Sequence, residues 1–146
     1  MRKNNKKRKE EQPMKEIQLG AVYEKTITVT DSMLAKEVGS GDVAVYATPM
    51  MIALMEEVSA KCLKPFLDEG ETSVGVAMNT THAAATPAGM QVKAVVEIVA
   101  VDRKKVSFRV VASDERDTIG VAEHDRFVVW KEKFEQKATD KLNTEN

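Results

Sequence analysis

Thr48, Glu56, His82, His124 and Arg126 are the positions in this sequence whose residue types could carry chemistry. A hydroxyl, a carboxylate and an imidazole can together attack or hydrate an acyl carbon and move the protons involved. Each also has a plainer reading. Thr48 precedes Pro49, the pattern of an N-cap hydroxyl followed by proline at the first helical position. On a helical wheel Glu56 shares its side with Ile52, Ala60 and Leu63. Partial burial among such neighbours raises a carboxylate pKa; a boundary residue whose head reaches water is the alternative. Glu57 falls on the opposite side, four residues before Lys61, and reads as a solvated ion-pair partner. His82 stands alone in a strand pattern, where an imidazole is more often structural than catalytic. His124 and Arg126 share one face of the last strand, with Glu123 and Asp125 on the other, and by themselves read as surface charges.

Other chemistries are excluded by composition. The 146 residues include one Cys and two His, too few for an internal disulfide or a zinc-finger ligand set. The sequence has no Gly-rich phosphate loop. No apolar run approaches the ~20 residues needed to cross a bilayer. The basic start leads into Glu10, Glu11 and Gln12 rather than an apolar stretch, so a cytoplasmic domain without metal or organic cofactor is expected. The net charge of −1 hides an asymmetry: residues 1–13 hold six Lys/Arg and two Glu, and the rest has 16 Lys/Arg against 21 Asp/Glu, a net −5. A basic arm can bind nucleic acid through phosphate neutralisation, yet it carries no aromatic residue for base stacking. It is read as a disordered tail over residues 1–14.

Elements must position these groups. Ala21–Thr30 alternates as a strand, with Tyr23, Ile27 and Val29 against Glu24, Thr26 and Thr28. Asp31 can cap a short helix, Ser32–Val38, which Gly39 ends. A long helix then starts at Thr48-Pro49 and runs through Met51, Leu54, Met55, Val58 and Cys62, an apolar stripe. Strand patterns follow at Thr72–Ala84, Met90–Ala100, Val106–Ser113 and Thr118–Trp130, separated by short turn-forming segments, and Lys131–Lys141 reads as a frayed helical tail. Short turns make these four strands antiparallel, and a sheet with one apolar face needs the single hydrophobic helix as its cover. The fold class is α+β: a hotdog layout, an antiparallel sheet wrapped around one long central helix. One domain is expected over residues 15–134, with 135–146 a frayed tail.

The segments TPMMIALME at Thr48–Glu56, GETSVG, THAAATPAG and HDRFVV closely resemble the fluoroacetyl-CoA thioesterase family of hotdog proteins, from about Leu19 to Phe134. The resemblance implies an acyl-CoA thioesterase with Thr48 as the catalytic hydroxyl, Glu56 as the carboxylate and His82 as the imidazole. It implies that Gly75 and Arg126 belong to the substrate site. It also implies a homodimer with the acyl-CoA site at the subunit interface, and CoA as the substrate's handle rather than a cofactor. Glu56 would attack the acyl carbon or activate water, His82 would shuttle protons, and backbone N–H groups near Gly75 would hold the oxyanion. A non-catalytic acyl-CoA-binding protein on the same fold is the alternative. One segment departs from the family: Ser32–Ala47 is shorter than the family's Phe-rich lid, and Tyr46 is its sole ring. Gly39 and Gly41 are expected to leave it loose, with little selectivity for a fluorinated acyl group.

Overall fold

The computed structural model describes residues 15–143. The basic tail expected over residues 1–14 lies outside them, as do the last three residues. Strand β1 (Val22–Thr28) is followed by a 3-10 turn at Asp31–Met33 and a short helix α1 (Ala35–Val38). The long helix α2 (Thr48–Leu63) runs into a 3-10 turn at Lys64–Phe66. Strands β2 (Glu71–Thr80), β3 (Gln91–Asp102), β4 (Lys105–Ser113) and β5 (Thr118–Trp130) come next, then helix α3 (Lys131–Thr139). Asp31 lies inside the first turn rather than capping it, and extended backbone at Leu34 separates that turn from α1. Gly39 does end α1, at φ 89°, a conformation that suits a residue without Cβ.

The five strands form one antiparallel sheet in the order β1-β3-β4-β5-β2. The expectation that short turns join the four later strands holds from β3 to β5 but not between β2 and β3. The segment between β2 and β3 is a crossing, not a hairpin, and β2 pairs with β5 at the far edge. Residues past β2 continue on β5, with the Thr81 N–H donating to the Val121 carbonyl at 3.2 Å and the Ala83 N–H to that of Ile119 at 2.7 Å. The chain then leaves β5, and Thr86 is buried with its hydroxyl donating to Asp114 at 2.8 Å. The crossing thereby reaches β3 beside β1.

Helix α2 lies on the inner face of the sheet. Met51, Leu54, Met55, Val58, Cys62 and Leu63 are buried there, against Val92, Val96, Ile98, Phe108 and Val110. Gly120 lets the helix come close: a Cβ there would stand 2.6 Å from the Thr81 carbonyl oxygen and 2.8 Å from Met51 Sδ. Among the described residues no helix is long and apolar enough to cross a membrane.

Candidate active site

The candidate residues fall into two groups along one helix. At the start of α2, Ala47 occupies the N-cap position and Thr48 is the first helical residue. The capping role expected for Thr48 is therefore not used. Its hydroxyl instead lies 2.6 Å from His82 Nδ1. The β5 pairing of Thr81 and Ala83 explains why: bonding at alternate residues leaves the His82 side chain between them on the helix side. Tyr46 stands edge-on to the imidazole, with ring centroids 6.5 Å apart. His82 Nε2 is buried and has no hydrogen-bond partner among the described residues. Desolvation lowers the His82 pKa from its ordinary 6.5, which keeps the ring neutral near pH 7.

An open cavity of about 290 Å³ adjoins this pair, lined by Ala35, Val43, Val45, Tyr46, Thr48 and His82 among others. Its cover is the segment between β1 and α2. The base of that segment is tied rather than loose. Leu34 bridges Tyr46, the Ala35 N–H donates to the Val45 carbonyl at 2.8 Å, and the Ala47 N–H donates to that of Met33 at 2.9 Å. Its outer stretch, residues 36–44, is exposed throughout. Tyr46 is buried, its phenol pushed up to about 12 by desolvation.

Two turns further along α2, Glu56 faces Gly75 and Arg126. Glu56 Oε2 is 3.8 Å from Arg126 Nη1. A Cβ on Gly75 would come within 3.1 Å of the same oxygen and 3.2 Å of His124 Cε1. Gly75 opens a bulge in β2, where the register against β5 shifts before Ala77. The enclosure expected for Glu56 is absent within one chain, because its side chain is 46% exposed against 9% for Arg126. Its neighbour behaves as the wheel requires: Glu57 accepts from Lys25 at 2.6 Å and Lys61 at 2.7 Å. Those hydrogen bonds lower the Glu57 pKa.

Arg126 and His124 are not surface charges. Both are buried, on the inner face of β5 between Ala122 and Val128. Arg126 donates from Nε to Ser73 Oγ at 2.8 Å and from Nη2 to the Ser73 carbonyl at 3.0 Å. His124 is 2% exposed, and Ser73 with His124 complete a group that residue-by-residue reading missed. His124 occupies the same alternating phase as Ala122 and Val128, but the opposite phase, with Val121, Phe127 and Val129, is as apolar, so alternation alone does not select its face. Nothing in the local sequence marks Ser73. Desolvation lowers the pKa of both His124 and Arg126; the Ala77 carbonyl opposes this for His124, and Glu56 opposes it for both.

Among the described residues no hydrogen bond or ion pair joins the Thr48–His82 pair to the Glu56 group. Eight residues of helix set their backbones ~12 Å apart along the axis. The structure thus brings Thr48 to His82, and Glu56 to Gly75 and Arg126, without making all five one cluster in a single chain.

Residues 29–132 match the family profile described as fluoroacetyl-CoA-specific thioesterase. The chain is similar to the fluoroacetyl-CoA thioesterase of Streptantibioticus cattleyicolor, 41% identical over 97 residues, covering 66% of this chain and 70% of that protein. A solved structure of the fluoroacetyl-CoA thioesterase FlK superposes with a TM-score of 0.82 at 32% identity, over 86% of this chain and 98% of the other. A thioesterase superfamily member from Thermus thermophilus gives a TM-score of 0.82 at 31% identity, over 90% of this chain and all of the other. A hotdog-like protein from Thermanaerovibrio acidaminovorans, at 20% identity, shares the fold with a TM-score of 0.79. With the curled sheet wrapped on one helix and a hydroxyl, an imidazole and a carboxylate along that helix, this chain belongs to the fluoroacetyl-CoA-specific thioesterase family of hotdog-fold enzymes.

Proposed function

We propose that the protein hydrolyses short-chain acyl-CoA thioesters with Thr48, Glu56 and His82 as its catalytic set. The observation that carries the reading is His82. Its Nδ1 is held by Thr48 while its buried Nε2 has no partner among the described residues. A buried polar atom left unpaired costs stability, so such an atom belongs where a bound reactant completes it.

Hydrolysis adds water across the C–S bond. The acyl carbon gains a hydroxyl, and the thiolate leaves and takes a proton. Glu56, 3.8 Å from the Arg126 guanidinium, attacks the acyl carbon or removes a proton from water. Neutral His82 accepts and returns protons at Nε2, and Thr48 sets the ring's orientation. Gly75 gives the reacting carbonyl close access to the β2 backbone, whose N–H groups meet the oxyanion. No metal or organic cofactor enters the reaction; CoA is the handle of the substrate. Related FlK crystals include one with fluoroacetate and CoA, in a variant of that enzyme.

The active unit in this reading is a cytoplasmic homodimer. One edge of β2 pairs with β5 and the other faces no strand among the described residues. Val76, at the bulge, is 52% exposed on this strand. A two-fold axis perpendicular to that edge would set two copies of β2, and of α2, antiparallel, and in this reading Glu56 of one copy serves the Thr48–His82 pair of the other. Enclosure of Glu56 then comes from the second copy.

A thiol-release assay over acetyl-, propionyl-, butyryl- and fluoroacetyl-CoA tests the reading. Turnover of at least one thioester, lost in Glu56→Gln, is expected. Binding of acyl-CoA with no thiol release from any would make the protein a binder.

A further inference from the structure

The sequence contains two histidines, and the fold uses them in opposite ways. His82 keeps one ring nitrogen without a partner. His124 spends both. Its Nδ1 lies 2.7 Å from the Ala77 carbonyl oxygen, and its Nε2 lies 3.2 Å from Arg126 Nη1. A carbonyl oxygen only accepts, so Nδ1 carries the hydrogen and donates. A guanidinium only donates, so Nε2 presents its lone pair and accepts. These two partners select one neutral tautomer, and neither nitrogen is left to exchange a proton with a substrate.

The consequence falls on Arg126. Its Nε and Nη2 hydrogens go to Ser73, and one Nη1 hydrogen goes to His124. The plane of the guanidinium is thereby fixed on three sides, and the Nη1 corner is the part directed at Glu56. Ala77, the other partner of His124, is the first residue paired after the β2 bulge. His124 therefore spans the bulge that contains Gly75 and the cation that faces Glu56. Phe108 packs on the ring at a centroid distance of 6.0 Å, closing the remaining side.

We infer that His124 is a positioning residue of the thioesterase: as a neutral acceptor it holds the Arg126 guanidinium in place, and through it the direction of the Glu56 carboxylate. This rests on the proposed reaction for its effect on rate, but not for its effect on Arg126. The side-chain amides divide the two hydrogen bonds. His124→Gln extends an acceptor to Arg126 and gives up the Ala77 bond. His124→Asn keeps a donor for Ala77 and is too short for Arg126. His124→Phe fills the space and makes neither.

The expected result is that His124→Phe and His124→Asn lower kcat by ~10–100-fold, the scale of a displaced reacting group, with KM changed less than about threefold. His124→Gln should recover most of that loss. Should Phe not fold, the comparison of Gln with Asn still decides. Asn equalling or exceeding Gln, or Phe turning over at the parent rate, would overturn the inference. A second readout needs no turnover. The Arg126 Nε–H resonance, assigned by Arg126→Lys, should exchange slowly with water in the parent and in His124→Gln, and faster in Asn and Phe. Unchanged exchange in all three would also overturn the inference. A parent that releases no thiol while these exchange rates differ would sink the reaction and leave the positioning role standing.

Discussion

Glu56 and Glu57 are adjacent in sequence and do opposite work. Glu57 is neutralised by Lys25 and Lys61, a surface arrangement worth at most ~1 kcal/mol. Glu56 faces a buried guanidinium across 3.8 Å and is otherwise open. Replacing each in turn by Gln should separate them: Glu56→Gln reduces kcat by ~100-fold or more at unchanged melting temperature, and Glu57→Gln changes the rate by less than about threefold. The reverse order in steady-state kinetics would refute the assignment. His82 supplies a pH test. In the proposed reaction its neutral form is the active one, and desolvation lowers its pKa below 6.5. Rate is therefore full above 6.5 and is lost as pH falls through the lower folded value. The acid limb of kcat against pH should have its midpoint below 6.5, and His82→Ala should remove that limb together with ~100-fold of the rate. A midpoint above 6.5 would mean that a nearby anion, not burial, governs the imidazole.

At the scale of elements, two glycines separate packing from chemistry. Gly120 lets α2 approach β5; a methyl there would meet the Thr81 backbone oxygen at 2.6 Å and the Met51 thioether at 2.8–2.9 Å. Neither the paired backbone nor the buried Met51 can yield freely, so Gly120→Ala should cost ~1–3 kcal/mol in denaturant unfolding. A methyl at Gly75 meets the movable end of Glu56 at 3.1 Å and His124 at 3.2 Å. Gly75→Ala should therefore depress kcat more than stability, and equal effects of both substitutions on the two measurements would contradict this division. In the proposed reaction the cover between β1 and α2 sets substrate choice. Its base is pinned by backbone hydrogen bonds, its tip is exposed, and the cavity beneath has Tyr46 as its sole ring apart from His82. Aliphatic walls separate acyl groups of similar size by only ~1–3 kcal/mol. Specificity constants for fluoroacetyl and acetyl thioesters should accordingly differ by less than ~200-fold, with butyryl-CoA accepted. A thousandfold preference for the fluorinated substrate would require a gate elsewhere.

For the whole molecule, the proposed dimer uses the edge of β2 that pairs with no strand among the described residues. Edge strands are kept single by charge, and Val76 sets an exposed apolar side chain there instead. Light scattering at micromolar concentration should give twice the mass of the chain. Val76→Asp should lower that mass and the specific activity together, since each proposed site needs Glu56 from one copy and His82 from the other. A fully active monomer would remove the interface from the mechanism. Deleting residues 1–13, which contain no apolar residue beyond Met1, should leave mass and rate intact.

The sequence by itself determined the elements and the family. Periodicity of two in the strands and the stripe from Met51 to Cys62 in the helix are local properties, and each recurs in the structure because burial of one face enforces it. Motif spacing around Thr48, Glu56, Gly75 and His82 carried the family, and the comparisons agree. Strand order was not legible: turn residues mark where the chain bends, whereas the pairing of β2 with β5 depends on which edges remain open after β3, β4 and β5 have paired. Thr48 was read as a cap because the local pattern carries no information about His82, 34 residues away. His124 and Arg126 read as surface charges because a strand's alternation gives two faces but not which one is covered. Only the placement of α2 over the sheet made their face the inner one, and the buried guanidinium there then had to take Ser73, His124 and Glu56 as its partners.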